Sequence, residues 1–337
     1  MAGCIALDAM GGDHGPAEIV PAALDILNKY HDISLILVGR EEILQPILQQ
    51  SGAVTDGRLR IQHAPEVIEM DELPSSALRS KKQSSMRLAI DLVRDCEANA
   101  CVSAGNTGAL MAIARFVLKM LPGIERPGIC STMPGIFGQT HLLDLGANVD
   151  PDAAQLFQYA VMGSELTKAV QNIASPSIAL LNVGSEEIKG NDRVKQAASL
   201  LSKSHLNYVG FVEGNDIYTG KVDVIVCDGF TGNVALKASE GVAGFLMHHV
   251  RNEYKKSIYG RLAALVSMPV LKSIQRKIDP RRYNGASLLG LKGIVIKSHG
   301  SADRLSFFHA IEEAIVEIEK RVPEKITSRL EELLVYR

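Results

Sequence analysis

The sequence predicts a doubly wound α/β fold: a three-layer α/β/α sandwich around a mostly parallel sheet. Three observations lead there. Short apolar runs rich in β-formers alternate with longer segments of helical period. The runs are apolar throughout, as in Ile33–Val38 (ISLILV), which is the pattern of strands covered on both faces. At 337 residues and 46% hydrophobic composition, the chain can also bury a large core. Such alternation implies right-handed crossovers between parallel strands.

Taken in order, the expected strands are Cys4–Leu7, Ile33–Val38, Ala100–Ser103, Ile178–Val183, Tyr208–Val212, Val222–Cys227 and Ile294–Ile296. The expected helices between them are Ala17–Tyr30, Ser76–Cys96, Thr107–Leu121, Ala153–Val170, Arg193–Lys203 and Gly232–Arg251. The Pro/Gly-rich interruption from Gly123 to Gly138 reads as a sheet crossover or a bent ribbon. With no internal repeat, low-complexity tract or interdomain linker, residues 1–337 read as one domain carrying a helical hairpin insertion at about 252–282.

That insertion departs from the average composition. Between Arg251 and Arg282 nine basic residues face only Glu253 and Asp279, a local net charge of +7. Leu262, Leu265 and Val266 precede Met268-Pro269, and Val270, Leu271, Ile274 and Ile278 follow. Proline removes a helix hydrogen bond, so the expectation is two short amphipathic helices broken at Pro269. One reading is a dimer interface or core packing. The other is an apolar tip with a basic rim that touches an anionic membrane surface. Both hold if the hairpin projects from a homodimer.

Several classes are disfavoured by composition. Lys plus Arg is 36 against 38 Asp plus Glu, and the aromatic content is 5% with no Trp, so neither the basic excess nor the stacking platforms of a nucleic-acid binder are present. The cysteines, Cys4, Cys96, Cys101, Cys130 and Cys227, form no CxxC pair, which argues against a disulfide framework or Cys-rich zinc site and suits a reducing cytoplasm. The start MAGCIALDAMGGD lacks the basic and apolar regions of a signal peptide, and no run approaches a membrane span.

Four predicted strands end in small, polar, Gly-rich turns that open into helices. They begin at Asp8 (with Gly11, Gly12, Asp13 and His14), Ser103 (with Gly105, Asn106 and Thr107), Asp228 (with Thr231, Gly232 and Asn233) and Ser298 (with His299 and Gly300). Glycine admits a ligand close to the backbone, and helix N-termini favour anions. One such turn is ordinary capping; four together point to a phosphate-handling crevice at the carboxyl ends of the strands. The segment Asn182–Gly190 adds Lys189, read either as a solvated residue or as a fixed cation aimed at phosphate or an oxyanion. Nucleotide signatures are missing: Gly214–Lys221 has P-loop character but five intervening residues and Val222 in place of Ser or Thr, and no G-x-G-x-x-G follows the first strand. No nucleophile–base pair is legible from spacing, which leaves the substrate to supply the attacking group; phosphate is a competent nucleophile.

Together LDAMGGDHGP, VSAGNTGAL, LDLGAN (Leu143–Asn148), GSEEIKGND, DGFTGNVALK and SHGSAD resemble, in order, the bacterial phosphate acyltransferase family, the acyl-ACP:phosphate transacylases or PlsX family. The resemblance runs from Leu7 to about Ala310. It implies a fold like that of phosphotransacetylases and isocitrate-dehydrogenase-like enzymes. It also implies transfer of a fatty acyl group from acyl carrier protein to inorganic phosphate, without metal, nucleotide or other cofactor. The acyl-phosphate would feed a membrane glycerol-3-phosphate acyltransferase in phospholipid synthesis. A homodimer, cytoplasmic and peripherally associated with the inner face of the membrane, is implied as well. The family's active-site lysine and asparagine fall on Lys189 and Asn233, and its projecting helical pair falls on the segment around Pro269. The rivals are an acyl-CoA-dependent phosphotransacylase, an oxidoreductase on the same fold, and a catalytically silent membrane scaffold.

Overall fold

A computed structural model describes residues 3–52 and 57–335; the side chains at 275, 278 and 333–335, including Ile278 of the apolar stripe, fall outside the described set. The strands are β1 Gly3–Asp8, β2 Ile33–Gly39, β3 Leu59–His63, β4 Ala100–Ser103, β5 Gly128–Pro134, β6 Gln139–Leu143, β7 Ile178–Leu181, β8 Tyr208–Val212, β9 Val224–Val226, β10 Ala286–Leu289 and β11 Ile294–Lys297. They form one eleven-stranded sheet in the order β3-β2-β1-β4-β11-β10-β5-β6-β9-β7-β8. The pairs among β3, β2, β1, β4 and β11 are parallel, as are those among β6, β9, β7 and β8. Between these blocks, β11–β10, β10–β5 and β5–β6 are antiparallel.

The helices are α1 Pro16–Lys29, α2 Glu41–Gln50, α3 Pro74–Ser80, α4 Ser85–Arg94, α5 Thr107–Leu118, α6 Ala153–Gln171, α7 Asp192–Ser202, α8 Gly229–Lys255, α9 Ile258–Ile278, α10 Arg304–Lys320 and α11 Val322–Val335. Alternation along the strands assigns their faces. Ile5 and Leu7 of β1 pack with α1, α2 and α10, whereas Ala6 packs with α3, α4 and α5. Leu143, Leu180 and Val226 of the second block pack with α6, α7 and α11. Three layers result, as the apolar strands predict.

Differences from the sequence expectation have local causes. The helix expected over 76–96 is two, because Ser84 accepts from the Arg87 amide and starts a new helix after the polar Lys81–Gln83 step. The Gly123–Gly138 interruption holds β5 and the turn that leads into β6, the hairpin at the centre of the sheet. The break expected at Pro269 is absent: α9 runs through it, and the hairpin turns instead at Lys256–Ser257, where Ser257 caps α9 by accepting from Gly260 N. Proline fixes a helix-compatible φ and forfeits one i→i−4 bond, to the Leu265 carbonyl; both residues are exposed, so water can satisfy that carbonyl. Consequently α8 and α9 form a two-helix arm with Leu262, Leu265, Val266 and Val270 exposed and Leu271 half-buried. No helix among the described residues is long and apolar enough to cross a membrane.

Candidate active site

Three of the four Gly-rich turns meet at one sheet edge. Asp8, Ser103 and Lys297 end the adjacent strands β1, β4 and β11 in matched register. The Ser103 hydroxyl donates to Asp8 Oδ2 at 2.6 Å and accepts from Gly105 N at 3.1 Å. Asp13 N donates to the Gly300 carbonyl at 2.8 Å, tying the first turn to the third. Glycine is required where these loops touch: a Cβ on Gly11 would lie 2.6 Å from Asp8 Oδ2, and one on Gly12 would lie 2.8 Å from Gly300 O. Asn106 caps α5 through Ala109 N, and its amide donates to the carbonyls of Met70 and Glu72, fixing the loop before α3. Thr107 follows as the first residue of α5, and His14 is exposed in the first turn.

The fourth turn lies elsewhere. Because the two parallel blocks run in opposite directions, β6, β7 and β9 end at the opposite register edge from β1, β4 and β11. Asp144 organises that second edge. Its carboxylate accepts from the amides of Ile129, Gly146, Ala147 and Asn148 and from the Asn148 side chain, at 2.7 to 3.2 Å. Burial raises its pKa, although these bonds counter the rise. Such a fully engaged carboxylate braces a loop. Asp228 caps α8, accepting from both Thr231 N and the Thr231 hydroxyl at 2.8 Å. Gly232 passes so close that a Cβ would overlap the Asp144 carbonyl. Asn233 then faces Gly146, whose φ is +125°.

Helix α8 connects the two edges. Asn233 and Lys237 are one turn apart on the same face. Lys237 Nζ lies 3.1 Å from His299 Nε2 and also pairs with Glu240 at 2.8 Å. The other ring nitrogen, Nδ1, accepts from the Ser301 amide at 3.2 Å and lies 2.8 Å from Ser301 Oγ. Burial and then Lys237 lower the His299 pKa, so the ring is neutral near pH 7. From Gly229 to Lys237 the helix rises only about 12 Å. The Lys237–His299 contact thus joins the helix that opens at the second edge to a turn of the first.

Lys189 stands apart from the first cluster. It follows β7 at the second edge, with Nζ 2.8 Å from Glu186, and both side chains are about half exposed. The Glu186 hydrogen bond raises its pKa, so it is a cation at neutral pH. Asn182 holds the loop by donating to the Gly184 and Lys189 carbonyls. Two residues escaped the sequence reading: Lys237, in DGFTGNVALK, and Lys297, the last residue of a buried strand immediately before SHGSAD. A lysine ending an otherwise apolar strand is the signal that could have found the second.

Comparison with known proteins places this geometry. A family model described as a fatty acid synthesis protein matches residues 4–325. The chain is 58% identical to the phosphate acyltransferase of Methylococcus capsulatus over 333 residues, 99% of this chain and 98% of that one. The chain belongs to the phosphate acyltransferase family. The family member from Nitrosococcus oceani is also 58% identical, covering 97% of this chain and 96% of its own. Among solved structures, a phosphotransacetylase from Streptococcus pyogenes superposes with a TM-score of 0.61 at 18% identity, covering 94% of each chain. A branched-chain phosphotransacylase from Enterococcus faecalis gives 0.58 at 14%, covering 93% of this chain and 99% of the other. At those identities the likeness establishes the fold, the three-layer sandwich of phosphotransacetylases.

Proposed function

We propose that this acyltransferase passes a fatty acyl group from the thioester of acyl carrier protein to inorganic phosphate, producing acyl-phosphate for phospholipid synthesis. Membership of the phosphate acyltransferase family over nearly the whole chain carries the reading. Phosphate takes the first edge, at Gly11–Gly12, Asn106–Thr107 and His299–Gly300, where helices α1 and α5 begin. A phosphate oxygen attacks the thioester carbon, the C–S bond breaks after a tetrahedral oxyanion, and the thiolate leaves and is protonated by solvent. Asn233 and Lys189 stabilise the oxyanion from the second edge. Thr231 and Gly232 act by shaping the turn, since the Thr231 hydroxyl and amide are both engaged by Asp228. Lys189 exchanges Glu186 for the substrate at little cost, because a solvent-exposed ion pair contributes little.

The acidic carrier protein, a second copy of the chain and an anionic cytoplasmic membrane surface are the partners of this reading, with a membrane glycerol-3-phosphate acyltransferase taking the product. The α8–α9 arm, with Leu262, Leu265, Val266, Val270 and Leu271 among basic residues, is the membrane-contact element. The decisive assay follows free thiol released from long-chain acyl carrier protein, with and without phosphate, beside hydroxylamine-sensitive acyl-phosphate. Phosphate-dependent release matched by acyl-phosphate is expected. Turnover with acyl-CoA alone would change the donor, and silence with both would overturn the reading. Lys189→Ala should lose on the order of 10²–10³ in turnover while keeping its secondary structure; wild-type turnover would remove Lys189 from the mechanism.

A further inference from the structure

Lys297 is 8% exposed, an uncommon place for an ammonium. It ends β11, and its Nζ donates to the Ala104 carbonyl at 3.1 Å and to the Ser298 carbonyl. Ala104 belongs to the turn that opens α5, and Ser298 begins the turn that carries His299 and Gly300. No carboxylate among the described residues forms an ion pair with Lys297 within 4 Å. Two of its three N–H donors are therefore spent on backbone, and its charge is left uncancelled by direct contact. The neighbouring Asp8 is 1% exposed and its Oδ1 has no hydrogen-bond partner. Desolvating an ammonium is costly, so a lysine held in this position calls for a compensating use.

We propose that Lys297 is a positioning residue of the phosphate site: by gripping the Ala104 and Ser298 carbonyls it fixes the α5 turn against the His299–Gly300 turn, and its uncancelled charge sets the positive potential behind the bound dianion. The inference rests on the assignment of phosphate to this edge. Pulling both carbonyls inward turns the following amides, Gly105 N and His299 N onward, to the outer side of the loops. Gly105 N is held by Ser103 and His299 N by Asn284 Oδ1 at 3.0 Å, so the next amides, at Asn106 and Gly300, are the ones left to meet a ligand. Around Lys297 the facing charges are Asp8 from β1, Asp13 from the turn after it, Lys237 from α8 and the His299 ring. Burial pushes the Lys297 pKa down to about 8, with Asp8 and Asp13 opposing and Lys237 reinforcing that fall. The group therefore leaves its charged form within an accessible pH range.

Three measurements test this on the full-length enzyme. First, Lys297→Met should raise the KM for phosphate about tenfold or more while the KM for acyl carrier protein stays within about twofold. Second, inorganic phosphate should raise the melting temperature of the wild type and fail to do so for Lys297→Met, a readout independent of turnover. Third, the wild-type KM for phosphate should climb between about pH 7 and pH 9.5 as the ammonium is lost; Lys237→Met should keep that climb. This last arm needs no Lys297 variant, so it stands even if Lys297→Met fails to fold. An unchanged phosphate KM and an unchanged phosphate-dependent melting shift in Lys297→Met would overturn the assignment, as would a flat wild-type profile. Thiol release independent of phosphate in the wild type would instead overturn the underlying reading of the reaction. A phosphate KM that rises with Lys189→Ala but not with Lys297→Met would spare that reaction and reject only Lys297.

Discussion

Glu317 is 2% exposed on α10, and its Oε1 has no hydrogen-bond partner. Burial raises its pKa, and Glu313 one turn earlier raises it further; burial raises Glu313 as well. A carboxyl whose folded pKa lies above its unfolded value is protonated when folded and ionised when unfolded across the interval between them. Stability thus falls as pH rises above the ordinary glutamate range. Glu317→Gln should therefore gain about 1–2 kcal/mol at pH 8 and lose that advantage toward pH 4, measured by urea unfolding at the two pH values. Glu312 nearby behaves oppositely. Burial would raise it, yet hydrogen bonds from His309, Lys29 and Tyr30 prevail and hold it at about 2. Its contribution is complete above the unfolded glutamate pKa and fades as pH falls toward 2, so Glu312→Gln should flatten that acid limb. Neither behaviour was legible in the sequence, because Glu313 and Glu317 sit in an amphipathic helix where only tertiary packing decides which glutamate is covered. The Gly-rich turns were legible, since glycine between a strand and a helix reports a close backbone approach that Gly12 and Gly232 both make.

At the scale of elements, α8 carries the most consequence. Its start is fixed by Asp228 and by the close passage of Gly232 under the Asp144 carbonyl and Cys227 Sγ. Gly232→Ala would force that helix off the β9 end; a loss of about 1–3 kcal/mol in urea unfolding and a fall in turnover are expected together. Helical period alone gave α8 too short a span, because the Gly229–Gly232 opening reads as a turn until Asp228 is seen to cap it. The arm's turning point was misread for a related reason: proline in an exposed helix costs a bond that water can replace, whereas Ser257 supplies a cap that periodicity does not register. Leu262→Glu with Leu265→Glu should release the enzyme from anionic vesicles and preserve turnover on soluble acyl carrier protein. Loss of the dimer and of turnover together would make these residues an interface instead.

At the scale of the molecule, the sheet holds the buried mass and the α8–α9 arm stands outside it. Arg251, Lys255, Lys256, Arg261, Lys272, Arg276 and Lys277 are exposed or nearly so on that arm. Brief trypsin treatment should cut within 251–277 first and leave a sheet-bearing product, read by mass; first cleavage elsewhere would mean the arm is covered in solution. Most strands of the parallel blocks were readable from apolar runs, but β3, β10 and the β5–β6 hairpin were not, since the half-polar LRIQH, the short ASLL and a Pro/Gly-rich ribbon give weak strand signals. That centre has a consequence for synthesis. β4 and β5 are successive in the chain yet separated in the sheet by β11 and β10, residues 286–297. A ribosome that has made the first 285 residues has made both flanks and no bridge, with the edges of β4 and β5 open to stray pairing. The last fifty residues are the wedge that closes the sheet, and a nascent chain stalled before them should need chaperone cover that the finished one does not.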